Sequence, residues 1–274
     1  MPSQSLTKVS TAKKPKIIAI TNQKGGVGKT TTAINLGAAL AELGMTVCLI
    51  DMDPQGNAST GMGIPAAERD KTTYDLLLEG APLSEVAVET KTKGVLIAPA
   101  TTDLSSADIE MAKSDRRTVL LRDALRNSDV ENMGLDVILI DCPPALSLLT
   151  LNAMIAAHSI LVPLQSEFYA LEGLSQLLLT VREVRESANP DLRLEGVAIT
   201  MMDARNRLAQ MVEKDVRDTL GDVVFETVVP RSVRLSEAPS YAISILEYDT
   251  NSKGSVAYRG MAQEVASRLP KGGM

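Results

Sequence analysis

Aromatic residues are scarce in this 274-residue chain: there is no tryptophan, and only two phenylalanines and five tyrosines. Stacking of bases on a platform of rings is therefore a poor fit, and contact with nucleic acid would have to run through the phosphate backbone. Cysteine is nearly absent too. Cys48 and Cys142 lack metal-ligand spacing, and each sits in an apolar run where a free thiol acts as a small buried hydrophobe. That pattern implies a reducing, cytoplasmic compartment. Positive charge is in deficit, with 28 Lys and Arg against 34 Asp and Glu and a net charge of −6. This excludes a surface that binds nucleic acid by bulk charge and leaves only local basic clusters.

Long hydrophobic runs are missing as well. The first fifteen residues hold Ser, Thr, Lys and Pro, including Lys8, Lys13 and Lys14 but no acid, and read as a flexible lead without the apolar segment of a signal peptide. From Cys142 to Ser166 no charge occurs, but Pro143, Pro144, Asn152, His158 and Pro163 interrupt the stretch. It parses as a strand end, a helix and the next buried strand, not as a membrane span.

What is present is the composition of a folded protein, 45% hydrophobic and 23% charged. Short aliphatic runs alternate with amphipathic segments: "KIIAIT" from Lys16, "TVCLID" from Thr46, "GVLIAP" from Gly94, "DVILID" from Asp136, "SILVPL" from Ser159, "LEGVAIT" from Leu194 and "VVFETVV" from Val223. Strands this continuously apolar are covered on both faces. A helical stripe at Leu171, Leu174, Leu177, Leu178, Val181 and Val184 ends at Pro190. The fold class is thus α/β: one doubly wound, mostly parallel sheet with helices on both faces, over residues 16 to 268, followed by a tail over 269 to 274.

The most specific stretch is "QKGGVGKTTT", residues 23 to 32, set between a strand and a helical pattern. Gly25, Gly26 and Gly28 let the backbone curl with its N–H groups inward, making an anion nest at a helix N-terminus together with Val27 and Thr31. Lys29 supplies a point charge to terminal phosphates, and Thr30 offers a hydroxyl to Mg2+. Lys24 is the unexpected residue, since one phosphate chain in one loop calls for one lysine. Two strand-end motifs complete the set: "LIDMDPQG" with Asp51 and Asp53, and "VILIDCPP" with Asp141. Carboxyl ends of parallel strands are where open α/β sheets bind ligands.

The pattern Lys-Gly-Gly-x-Gly-Lys-Thr resembles the deviant Walker A loop of the ParA/MinD superfamily of P-loop NTPases. "SEFYALEGL" from Ser166, "MMDARNR" from Met201 and "PRSVRLSEAP" from Pro230 extend the likeness to ParA partition ATPases of the short Soj type across residues 16 to 268. The resemblance implies ATP and Mg2+ as cofactors, with Lys24 as the signature lysine that reaches a partner subunit's phosphates. It further implies that Asp53 orients the attacking water, that Thr30, Asp53 and Asp141 serve the metal, and that Met202, Pro230 and Arg231 lie near the adenine. Also implied are an ATP-bound homodimer, nonspecific double-stranded DNA bound through Arg205 and Arg234, a ParB-type partner that stimulates hydrolysis, and a nucleoid-associated location. No stable membrane association is expected. The alternative is a MinD-like ATPase docking on membrane surfaces, but "YRGMAQEVASRLPKGGM" offers no large apolar face flanked by lysines. Cys48 and Cys142 stand at the wrong motif positions for the iron–sulfur pair of a nitrogenase-reductase-like protein. His158, the lone histidine, reads as structural.

Overall fold

In a computed structural model, which describes residues 14–269, seven strands form one sheet. They are β1 (Lys16–Ile20), β2 (Val47–Asp51), β3 (Val88–Glu89), β4 (Val95–Ala98), β5 (Val137–Asp141), β6 (Ser159–Gln165) and β7 (Arg193–Thr200), in the order β3-β4-β2-β5-β1-β6-β7. All neighbours run parallel except β3, which pairs antiparallel with β4. Alternation along each strand feeds two cores. Ile17, Ala19, Cys48 and Ile50 face one cluster, whereas Ile18, Ile20, Val47 and Leu49 face the other.

The helix Lys29–Glu42 covers the second face and is itself backed by the carboxyl-terminal helix Lys253–Arg268, whose Tyr258, Met261, Ala262 and Val265 are buried. On the first face lies the helix Ala170–Ser187, burying Leu174, Leu177, Val181 and Val184 as the stripe predicts. Asn189 closes the turn beyond it by donating to the carbonyls of Met154, Ile155 and Ala157. The uncharged stretch resolves into the end of β5, the helix Leu148–Ala156 and β6. Among the described residues no helix is long and apolar enough to cross a membrane.

One expectation is corrected. Val223–Val229 is not a strand: it forms no ladder and meets the sheet at isolated bridges, Val224 to Val197 and, just beyond, Pro230 to Met202, with the Phe225 and Val229 N–H groups donating to the β7 carbonyls of Val197 and Ile199 at 3.0 and 2.9 Å. Between those points side chains take the backbone groups, the Arg217 guanidinium on the carbonyls of Phe225 and Glu226, and the Glu264 carboxylate on the N–H groups of Glu226 and Thr227. The short edge strand β3 was not anticipated, because two residues carry no periodicity.

Of the lead expected over residues 1–15 only Lys14 and Pro15 fall among the described residues, and of the tail over 269–274 only Leu269. Lys14 pairs with Glu131 at 3.4 Å. Cys48 and Cys142 are free and buried, and burial pushes both thiols up, Cys48 to about 12. His158 accepts a hydrogen bond from the Ile17 N–H at Nδ1, 2.9 Å away. Burial, with Lys16 and Arg126 nearby, lowers its pKa and keeps the ring in the neutral form that can accept.

Candidate functional site

Parallel pairing brings three strand ends together. Asp141 is the register partner of Ile20 in β1 and of Asp51 in β2, so the loop leaving β1 and the two aspartate segments open at the same carboxyl edge of the sheet. In that loop Gly26 and Gly28 have φ of +75° and +87°, a region that L side chains rarely adopt. Gly28 then caps the helix Lys29–Glu42, which carries no side-chain cap and leaves its first N–H groups pointing into the loop. Asn22 shapes the entry by donating to the Pro163 carbonyl at 2.8 Å and accepting from the Lys24 N–H at 3.0 Å. Thr200, at the end of β7, holds the Val27 carbonyl at 2.9 Å.

Lys29 is buried and folds back to donate to the Lys24 carbonyl at 3.0 Å. Burial lowers its pKa, while Asp141, Cys142 and Asp53 pull it up. Asp141 is the orphan of the site: its side chain is buried and neither carboxylate oxygen has a well-formed hydrogen bond. Burial, then the Asp51 charge, raise its pKa well above the carboxylate range, against the Thr30 hydroxyl and the Lys29 ammonium. Asp51 is buried as well and pushed up to about 6 by that burial, although Ser59 donates to it from N at 2.8 Å and from Oγ at 2.6 Å.

Two carboxylates, Asp141 and Asp53, thus act on one buried ammonium, and an unpaired buried carboxylate such as Asp141 costs several kcal/mol unless a cation answers it. The chemistry fits a hydrated divalent ion. Among the described residues no group of three or more His, Cys, Asp or Glu side chains is placed to hold a metal alone. Mg2+ takes few protein oxygens and completes its shell with water and phosphate. Thr30 and Asp141 are the side chains that could serve such an ion. Asp53 heads the next turn, accepting from the Gln55 N–H at 2.9 Å.

Beside the loop a cavity of about 350 Å³ is lined by Gly28, Thr31, Met201, Pro230, Arg231 and Tyr258, among others. The expected Met202 is not in its wall. Met202 packs into the first hydrophobic cluster, and Met201 turns to the cavity because its φ of +51° reverses the alternation of β7. The Arg231 N–H donates to the Met202 carbonyl at 3.0 Å, which sets the Arg205 loop beside the Arg231–Arg234 segment. Arg205 is 91% exposed in its side chain and pairs with Asp203 at 3.1 Å. Arg234 is 58% exposed, within 3.6 Å of Glu237 and 3.8 Å of Asp249.

Lys24 projects at the mouth of the site, half exposed, and its ammonium pairs with Glu167 of the same chain. Phe168 and Tyr169, exposed and edge to face at 5.1 Å, follow directly. Asn22, Ser59, Thr200, Met201, Tyr258 and Glu167 were not singled out from the sequence. Glu167 and Met201 lay inside motifs, "SEFYALEGL" and "MMDARNR", that could have flagged them.

Comparison with known proteins agrees with this geometry. The family model described as an AAA domain matches residues 15–194. The chain is 53% identical to the chromosome partitioning protein ParA of Caulobacter vibrioides (strain NA1000 / CB15N), over 92% of this chain and 94% of that protein. It is 49% identical to the sporulation initiation inhibitor protein Soj of Bacillus subtilis (strain 168), over 92% and 98%. A crystal structure of cobyrinic acid a,c-diamide synthase from Mycobacterium smegmatis, with bound ATP analog and magnesium, superposes with a TM-score of 0.78 at 36% identity, covering 91% of this chain and 93% of that one. Identity at this level along nearly the full length reflects inheritance of the whole domain and not of one loop, so the chain belongs to the ParA/Soj family of chromosome-partitioning ATPases, P-loop enzymes that hydrolyse ATP.

Proposed function

We propose that the chain is a Mg2+-dependent ATPase of DNA segregation whose ATP-loaded form pairs into a homodimer, binds DNA without sequence preference and lets go after hydrolysis stimulated by a ParB-type partner. The observation that carries the reading is Lys24, a second loop lysine that leaves its own phosphate nest to Lys29 and stands at the mouth of the site. Phosphoryl transfer needs positive charge on the spreading phosphate oxygens. A lysine delivered by a neighbouring copy makes that charge complete only in the pair, so nucleotide occupancy governs association.

Lys29 and the loop N–H groups hold the phosphate chain, and Pro230, Arg231 and Met201 wall the cavity beside Gly28 where the adenine fits. Bound Mg2+ would neutralise phosphate charge, and Thr30 and Asp141 are the residues that would hold it. Asp53 orients the attacking water.

Arg205 and Arg234 are exposed on adjoining segments in an acidic chain, which suits phosphate contact over base reading. A MinD-like membrane role fits less well, because Met261 and Val265 of the last helix are buried in the core. The place of action follows as the cytoplasm, on the nucleoid.

The test is retention on random-sequence DNA with Mg2+ and ATP, over a salt series, against anionic vesicles. Wild type is expected on DNA, with affinity falling steeply as salt rises. Arg205→Glu with Arg234→Glu is expected to abolish retention while ATP binding survives. Retention of the double variant would remove these arginines from the interface, and binding to vesicles in place of DNA would favour the membrane reading.

A further inference from the structure

Between Asp51 and Ile64 the chain turns repeatedly at the edge of the site, and one side chain ties those turns together. Arg69 donates from Nε to the Ile64 carbonyl at 3.0 Å and from Nη1 to the Ala100 carbonyl at 2.7 Å. Its Nη2 reaches the Thr60 hydroxyl at 2.8 Å, the Ile64 carbonyl at 2.8 Å and the Gly56 carbonyl at 3.4 Å. The acceptors are neutral. Its guanidinium is half-buried and its pKa is lowered by that burial, with the Asp51 charge opposing the shift.

Three of the acceptors, Gly56, Thr60 and Ile64, span the segment that follows Asp53. Gly56 closes the Asp53 turn, its N–H donating to the Asp53 carbonyl at 2.9 Å, and begins the short helix Asn57–Gly61 with φ of +61°. A Cβ added to Gly56 would collide with the Arg69 guanidinium and lie 2.9 Å from the Ala100 carbonyl, so the fit leaves no slack. Ala100, just beyond β4, is gripped twice: its carbonyl by Arg69, and its N–H by the Ser59 hydroxyl at 2.9 Å, which in turn bonds the buried Asp51. The Asp53 turn is therefore tied to the sheet on one side through Asp51 and Ser59 and on the other through Arg69.

We infer that Arg69 is a positioning residue, whose guanidinium fixes the Asp53–Ile64 segment and so sets where the Asp53 carboxylate stands relative to the terminal phosphate. The inference rests on the ATPase reading above. It assigns Arg69 no contact with nucleotide. Lysine keeps the charge but cannot present a planar fork to several carbonyls at once, so the arrangement demands arginine and not merely a cation. Misplacing a reacting group by about 1 Å can cost roughly 100-fold in rate.

The test compares wild type, Arg69→Lys, Arg69→Ala and Asp53→Ala for ATP turnover, for binding of a non-hydrolysable ATP analog, and for amide hydrogen exchange. Both Arg69 variants are expected to lose roughly 10- to 100-fold in kcat, with KM and analog affinity nearly unchanged. Exchange is expected to rise between residues 54 and 64 while the core stays protected. Added guanidinium is expected to restore part of the turnover of Arg69→Ala and none of that of Asp53→Ala.

Wild-type kcat in a folded Arg69→Lys would overturn the inference. So would parallel loss of analog binding and core protection, which marks a purely structural role. If the wild type turned over no ATP, the functional reading would fall and exchange would decide alone: a rise confined to 54–64 supports the clamp, and unchanged exchange refutes it.

Discussion

Because Lys24 is paired with Glu167 inside one chain, any role it plays across an interface begins with breaking that pair, and the perturbation that isolates the step is Glu167→Gln. Side-chain exposures of 41% and 48% place the pair at the surface, where an ion pair is worth about 0.2–1 kcal/mol. A symmetric dimer releases two of them, so removing Glu167 should favour dimerisation by about 0.4–2 kcal/mol, or roughly 2- to 30-fold in the association constant. Sedimentation equilibrium with Mg2+ and a non-hydrolysable ATP analog reads this directly. The gain should shrink toward 1 M salt, where the screening length is about 3 Å. Lys24→Ala should weaken the dimer, and adding Glu167→Gln to it should change nothing, since no lysine is left to release. A Glu167→Gln dimer as weak as wild type or weaker would refute the reasoning, because Glu167 would then belong to the interface and not hold Lys24 back from it.

Two further outcomes follow from the same geometry. Asp53→Ala should lower kcat by roughly 100- to 10,000-fold, the range for a lost acid–base group, and leave an ATP-loaded dimer that persists on DNA; wild-type release from DNA would remove Asp53 from hydrolysis. His158 titrates in the opposite sense to a paired histidine: its folded pKa lies below the ordinary 6.5 because burial opposes the charge. Its contribution to stability is therefore full above pH 6.5 and is lost as pH falls from 6.5 through the folded value. Urea melts of wild type and His158→Gln across that window should differ in pH slope; parallel slopes would show that the ring does not titrate on folding.

How much of this was legible in the sequence depends on how local the cause is. The phosphate loop is set by residues a few positions apart, the glycines and the strand before them, so "KGGVGKT" announces both its conformation and its chemistry. Asp141 and Asp53 could be placed because a continuous apolar run has to be a covered strand, and a polar residue at its end has to emerge at the edge. The seventh run failed for a distant reason. "VVFETVV" has strand propensity, and its Phe225 and Val229 N–H groups do reach β7, but Arg217 and Glu264 take the backbone groups between them from two separate helices, and nothing within the run reports that. Met202 came from the family likeness and not from any pattern in the chain; a positive φ at Met201 puts that side chain in the wall of the cavity beside Gly28 and leaves Met202 in the core.

Lys24 shows where the boundary lies. The sequence marks it as surplus to one phosphate nest, which is a statement about composition of the loop, whereas its resting partner Glu167 lies 143 positions away and meets it only because β6 runs beside β1. The same distinction separates Asp53 from Arg69. A carboxylate at a strand end is visible as chemistry, but the guanidinium that aims it bonds only backbone carbonyls and one hydroxyl, and backbone carbonyls have no letter in a sequence. Residues that act on phosphate are thus readable from their type and spacing, and residues that orient them become readable only when the path of the chain is known.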